Sequence, residues 1–132
     1  MTVFIDTSAF YALLDQDDSN HARALAVWRR LLQDGARLMT HNYVLVETSA
    51  LVQHRLGLTA VRVFQDDVVP LLGVEWISEA RHRAGVTAVL AASRGKLSLV
   101  DCISFQTMRE GGVRSAFCFD RHFYEQGFDV LR

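Results

Sequence analysis

Residues 2–5 read Thr-Val-Phe-Ile, and Asp6 follows directly. A strand that is apolar at successive positions has no face to offer to water, which is the condition of a central strand covered on both sides. The remainder of the chain supplies the cover. Ala9 to Leu14 continues the first strand as a helix. Ala24, Leu25, Trp28, Leu31 and Leu32 recur at helical spacing, with Gly35 as the stop. Arg37 to Thr40 reads as a strand, Tyr43 to Leu56 as a helix ended by Gly57, and Thr59 to Leu72 as a further helix weakened near Pro70. Gly73 to Ile77 follows as a strand, Ser78 as an N-cap, Glu79 to Ser93 and Leu99 to Glu110 as helices, and Ser115 to Phe119 and Phe128 to Leu131 as the last strands. Short strands alternating with helices predict one α/β domain over residues 1–132 with a largely parallel sheet.

A chain of 132 residues has room for one proper core and little more. Its longest apolar runs fall far short of the roughly 20 residues that span a bilayer, and no basic head opens the sequence, so a soluble, cytoplasmic protein is expected. Cys102 and Cys118 lie in apolar surroundings without metal-ligand spacing and are expected to be buried free thiols. The net charge of −1 gives no long-range attraction to nucleic acid. If the substrate is a polyanion, something other than net charge must draw it in.

Most of the fifteen acidic residues fall where solvent accounts for them. Four do not: Asp6 at the end of the first strand, Glu47 inside "YVLVETSAL", Asp101 inside "LSLVDCISF", and Asp120 at the end of "AFCF". Carboxylates in apolar surroundings need a partner, because an isolated buried charge is very costly. Each has a local explanation: Asp6 can cap the following helix, Asp101 can favour a helix start, Asp120 can form a turn or pair with His122, and Glu47 can pair with Arg55. In an open parallel sheet, however, ligands bind beyond the carboxyl ends of the strands where strand order reverses. The four acids can meet at that edge. Four carboxylates in one cleft repel, a divalent cation removes the conflict, and oxygen donors select Mg2+ or Mn2+. The implied chemistry is metal-assisted phosphodiester hydrolysis, with the bound cation attracting the polyanion.

Competing chemistries fit less well. The five histidines show no H-E-x-x-H spacing, no serine sits in a G-x-S-x-G elbow, and no glycine-rich phosphate loop follows the first strand. A haloacid-dehalogenase-type phosphatase needs a second aspartate where Ser8 stands, and a receiver domain needs an adjacent acidic pair and a late-strand lysine, whereas the single lysine is Lys96 in "SRGKLS".

"VFIDTSAF", Glu47 after "THNYVLV", "LVDC" at Asp101 and "FDRHF" at Asp120 together resemble the acidic motifs of PIN-domain ribonucleases, and within them the VapC-like toxins of type II toxin–antitoxin systems. The resemblance spans the whole chain. It implies a three-layer α/β/α sandwich around a parallel sheet of four or five strands, with Mg2+- or Mn2+-dependent endoribonuclease activity on structured RNA such as transfer or ribosomal RNA. A homodimer and a small antitoxin whose tail occupies the groove are implied as well. By position, Asp6, Glu47, Asp101 and Asp120 would be the metal ligands, Asp6 and Asp101 directly and Glu47 and Asp120 at times through water. Ser8 would orient a ligand or a metal-bound water, Thr7 would cap the helix, and Thr40 or Asn42 would add a polar group. Arg121 and His122 stay open between contact with RNA phosphate and a turn or rim role. A catalytically silent module of the same fold, binding RNA or a protein partner, is the alternative. Neither the RNA target nor the cleavage position is written in the sequence.

Overall fold

In the computed structural model, which describes residues 1–92 and 95–132, the chain alternates strands and helices throughout. The strands are β1 (Thr2–Ile5), β2 (Arg37–His41), β3 (Gly73–Glu75), β4 (Ser115–Phe117) and β5 (Asp129–Leu131). All neighbouring pairs are parallel, in the order β3-β2-β1-β4-β5. The helices are α1 (Thr7–Leu14), α2 (His21–Gln33), α3 (Asn42–Leu56), α4 (Leu58–Val63), α5 (Glu79–Ala91), α6 (Leu99–Glu110) and α7 (His122–Glu125). Among the described residues no helix is long and apolar enough to cross a membrane.

The unbroken apolar stretch of β1 explains its place. It is the central strand, and Val3, Phe4 and Ile5 are wholly buried. Alternation along the strand sends Phe4 to one face, where it stacks on Phe123 of α7, and Val3 and Ile5 to the other. Successive strands step outward from β1 to β2 to β3 and then return to β4 on the far side. Right-handed crossovers therefore place α1–α4 on one face and α5–α7 on the other. The packing agrees: α1 contacts α2 and α3, α3 contacts α4, and α5 contacts α6. The result is the expected α/β/α sandwich around five strands.

The point where strand order reverses lies between β1 and β4. Their carboxyl ends open the crevice that such sheets use for ligands.

One local departure has a clear physical cause. The helix expected over Thr59 to Leu72 is broken: α4 ends at Val63, a wide π-turn covers Phe64–Val68, and a 3₁₀ turn covers Val69–Leu71. Pro70 has no N–H to give a preceding carbonyl, and its ring crowds the helix behind it. The wide turn also keeps Phe64 buried edge-on to Phe10 of α1. The third strand is shorter than expected, stopping at Glu75. The expected end of the helix from Glu79, at Ser93, lies outside the described residues.

Gly85 explains how closely α5 and α6 approach. A Cβ there would lie 2.7 Å from Cγ1 and 2.8 Å from Cδ1 of the buried Ile103. Only glycine leaves room for that side chain. Arg81 ties the same helix pair to the sheet, pairing with Glu75 at 3.2 Å and with Glu110, and donating to Thr107 Oγ1 at 3.0 Å.

Candidate functional site

Asp6 leaves the sheet where β1 ends, its N–H still bonded to the Phe117 carbonyl of β4 at 3.1 Å. Its side chain is the N-cap of α1, accepting on Oδ2 from Ser8 N–H at 3.1 Å and from the Ser8 hydroxyl at 2.7 Å. The cap expected of Thr7 is thus supplied by Asp6. Thr7 stands inside the first turn, and its Oγ1 instead accepts from Thr48 of α3 at 3.2 Å. The reason is backbone geometry. Asp6 still has extended φ and ψ, as an N-cap requires, whereas Thr7 is already helical.

Ser8 does more than support Asp6. Having donated its proton to that carboxylate, Oγ accepts from Phe119 N–H at 2.9 Å. One hydroxyl therefore fixes the exit of β1 against the exit of β4, the two lips of the crevice.

Asp101 occupies the third position of α6 and completes a capping box. Asp101 N–H donates to Ser98 Oγ at 3.0 Å, and Ser98 N–H donates to Asp101 Oδ2 at 3.1 Å. Asp120, just beyond β4, accepts on Oδ1 from His122 N–H at 2.8 Å and holds the turn into α7. The local explanations open for Asp6, Asp101 and Asp120 are therefore realised. They do not exhaust the residues: in each carboxylate the hydrogen bonds fall on one oxygen, and the other accepts none among the described residues. Each keeps a free oxygen in a fixed direction.

Two of the four acids converge with a histidine, whereas Asp6 and Glu47 are outside that cluster. Ligand atoms of Asp101, Asp120 and His122 all lie within 4.8 Å of one another. Asp6 is 5% exposed, and burial pushes its carboxyl up from 3.8 to about 6, opposed by the Ser8 hydrogen bonds and reinforced by the negative charges of Asp101 and Glu47. The Cys118 thiol, driven to about 12 by burial and then by the Asp6 charge, stays neutral, so this buried cysteine is not a thiolate ligand. Both cysteines are free and buried, as expected.

Glu47 differs from its expectation. Its apolar neighbours in sequence suggested burial, yet the side chain is exposed, and among the described residues it has no ion pair with Arg55 or any other cation. The buried stripe of α3 is Val44, Thr48 and Val52, and Val46 is itself 68% exposed. A helix wraps those flanking residues around its circumference, so apolar letters beside Glu47 do not cover it. Glu47 is near enough to Asp6 for its charge to raise that carboxyl, and the Thr48–Thr7 bond beside it holds α3 against α1.

Thr40 and Asn42 carry structural duties. Thr40 donates to the Ile5 carbonyl at 3.0 Å, and Asn42 accepts from Ile77 N–H at 2.7 Å.

One histidine escaped sequence reasoning, and a second was read without its place in the acidic cluster. His41 is wholly buried and caps α3, accepting from Val44 N–H on Nδ1 at 3.3 Å. That leaves its proton on Nε2, 2.8 Å from Ser104 Oγ, which donates onward to the Val100 carbonyl at 2.9 Å. His122 joins the acidic cluster although its partners lie in distant segments, where no local spacing rule could find them.

The donor set fits a hard divalent cation. Oxygen donors predominate, one imidazole stands by, and among the described residues no arginine or lysine pairs with Asp6, Glu47, Asp101 or Asp120. The negative charge gathered at the crevice is thus left for a ligand to balance.

Comparison with known proteins agrees with this arrangement. The family described as PIN domain matches residues 3–129. A curated relative from Mycobacterium tuberculosis, the 23S rRNA-specific endonuclease VapC20, is 30% identical over 131 residues, covering 98% of each chain. The crystal structure of M. tuberculosis VapC20, described as a sarcin-ricin-loop-cleaving toxin, superposes with a TM-score of 0.83 at 29% identity, covering 96% of this chain and 95% of the other. The FitAcB structure from Neisseria gonorrhoeae shares the fold, with a TM-score of 0.70 at 14% identity, covering 100% and 97% of the two chains.

Proposed function

Because this chain belongs to the PIN-domain family, we propose that it is an endoribonuclease toxin of a type II toxin–antitoxin system that hydrolyses phosphodiester bonds in structured RNA with Mg2+ or Mn2+. The observation that carries this is a carboxylate, Asp6, held almost fully buried at the switch point of the sheet with Asp101 and Glu47 close enough to raise its pKa. A cap alone does not call for that charge, since asparagine caps helices as well as aspartate does. A cation site does call for it.

In this reading Asp6 and Asp101 are direct ligands through the oxygens that their caps leave free. Asp120 reaches the cation directly or through water, and the exposed Glu47 acts through water. A bound divalent cation supplies Lewis acidity at the phosphodiester and makes a neutral-pH nucleophile out of water. Ser8 keeps the Asp6 carboxylate from turning and holds the loop of Asp120 at a fixed distance from it. The buried apolar floor under Asp6, made by Ile5, Phe117 and Cys118, limits water on the inner side of the site.

The similarity to VapC20 supports ribosomal RNA as the first substrate to try, with transfer RNA second. A cognate antitoxin, whose gene would lie beside this one, and a homodimer belong to the same proposal, as does a cytoplasmic site of action.

The test is cleavage of intact ribosomes, total RNA and a tRNA pool by purified protein. Activity with Mg2+ or Mn2+, its loss with chelator, and its loss in folded Asp6→Asn and Asp101→Asn variants are expected. Full activity in either variant refutes the assignment. Metal binding without cleavage of any of these RNAs would favour the silent module instead.

A further inference from the structure

His122 has the geometry of a metal ligand that the four-acid pattern does not include. It follows the turn that Asp120 caps, and its side chain is 22% exposed. Nε2 lies 3.7 Å from Asp120 Oδ1, and one ring nitrogen stands within 4.8 Å of a carboxylate oxygen on each of Asp101 and Asp120. Donors on opposite sides of one ion sit roughly 4.2 Å apart, twice a bond of about 2.1 Å. At 3.7 Å, His122 Nε2 and Asp120 Oδ1 already lie within the span that one ion can bridge.

The other nitrogen provides an independent sign. Nδ1 is buried and has no hydrogen-bond partner among the described residues, yet it lies 3.7 Å from Glu125 Oε2, one turn along α7. A buried, unpaired ring nitrogen is costly unless some state of the protein satisfies it. Histidines that bind metal through one nitrogen commonly donate the other N–H to a carboxylate, which sets the tautomer. Placing the proton on Nδ1 gives Glu125 that role and leaves the Nε2 lone pair facing the acids. Salt bridging of His122 with Asp120 alone would leave Nδ1 without purpose.

We propose that His122 Nε2 is a nitrogen ligand of the acidic centre, with Glu125 accepting from Nδ1–H, and that this ligand makes the site favour Mn2+ over Mg2+. The inference rests on the reading that Asp6, Asp101 and Asp120 hold a divalent cation. Magnesium takes oxygen ligands almost exclusively, whereas a nitrogen donor adds affinity for first-row transition ions, and manganese also accepts an oxygen-rich set.

The test uses the full-length protein, stripped with chelator and reloaded with MnCl2 below one equivalent. Pulsed electron paramagnetic resonance reads nitrogen bound to manganese as 14N modulation of the spin echo. The expected result is imidazole modulation in the wild type that changes to a 15N pattern when histidine alone is 15N-labelled, and that disappears in His122→Ala. Calorimetric titration should show the Mn2+ dissociation constant rising by about tenfold or more in His122→Ala and by less in Glu125→Gln, with that for Mg2+ nearly unchanged. The labelling arm needs no variant and shows whether any histidine binds the ion, and His122→Gln gives the assignment if His122→Ala does not fold. Bound manganese without nitrogen modulation, or modulation that persists in folded His122→Ala, overturns the role of His122 while leaving the acidic centre intact. Absence of any Mn2+ binding overturns the acidic centre itself.

Discussion

Asp6→Asn is expected to stabilise the metal-free protein while removing its activity. Folding raises the Asp6 carboxyl from 3.8 to about 6, chiefly through burial. A group whose folded pKa is raised in this way is penalised for being charged. The fold carries the whole penalty above pH 6, sheds it as pH falls from about 6 to 3.8, and carries none below. About two units correspond to roughly 3 kcal/mol. Asparagine keeps the shape and the cap, its carbonyl accepting from Ser8 N–H and Oγ–H and its amide replacing the oxygen that accepts no hydrogen bond. The raised value is already net of the Ser8 hydrogen bonds, and an amide that mimics the protonated carboxyl imperfectly leaves a gain of about 1–3 kcal/mol. Urea unfolding at pH 7.5 with chelator should therefore give the variant a higher midpoint at unchanged slope, an advantage that shrinks to nothing near pH 4. Adding Mn2+ should raise the wild-type midpoint and leave that of Asp6→Asn where it was. A variant no more stable than the wild type at pH 7.5, with both slopes equal, would refute the claim that the fold bears the cost of this charge.

Two further outcomes follow from other parts of the molecule. Burial, and secondarily the Arg81 charge, lowers the His41 imidazole from 6.5 to about 4. The neutral ring is what the fold accepts, so stability from His41 is complete above pH 6.5 and is lost as pH falls toward 4, about 3 kcal/mol in all. In the wild type Asp6 opposes this over nearly the same window, whereas Asp6→Asn should expose the His41 loss as a steep fall in stability below pH 6.5; an NMR midpoint for His41 at 6 or above would contradict it. At Gly85, alanine would ordinarily favour a helix by about 1 kcal/mol, but its Cβ meets Ile103 at 2.7 Å, so Gly85→Ala should instead destabilise by about 1–3 kcal/mol. Ile103→Ala should then cost measurably less in the Gly85→Ala background than alone, and additive costs in chemical denaturation would show that the two side chains do not collide.

What the sequence disclosed depended on how local each signal was. The β1 strand and Asp6 could be read directly, because a central parallel strand is apolar at every position and its first charged residue marks its exit from the core. Cys102 and Cys118 were legible from their apolar neighbours and the lack of metal-ligand spacing. Burial on helices was less so. Glu47 looked enclosed because its neighbours in sequence are apolar, but α3 buries Val44, Thr48 and Val52 and turns Val46 and Glu47 outward. His41 was missed because histidine is an unusual cap, and only its contact with Ser104, 63 residues away, explains its burial. His122 stayed open between RNA contact and a turn or rim role because its proximity to Asp101 comes from another crossover, which no local spacing discloses.

Three of the four candidate acids share one construction. Asp6 caps α1, Asp101 closes the capping box of α6, and Asp120 holds the turn into α7, each through a single oxygen. The local explanation and the functional one are therefore two halves of the same carboxylate. A cap fixes the side-chain torsions against the backbone and so removes the rotamer entropy that a free surface carboxylate would lose on binding a cation. It also aims the unused oxygen away from the helix it caps. α1 and α7 start directly after β1 and β4, at the carboxyl edge of the sheet, whereas α6 is the second helix of the crossover from β3 to β4. One cap, one capping box and one turn thus each leave a carboxylate with an oxygen free of hydrogen bonds among the described residues. The cost is concentrated at Asp6, the most buried of them, and a cation that lowers its pKa removes that cost on binding.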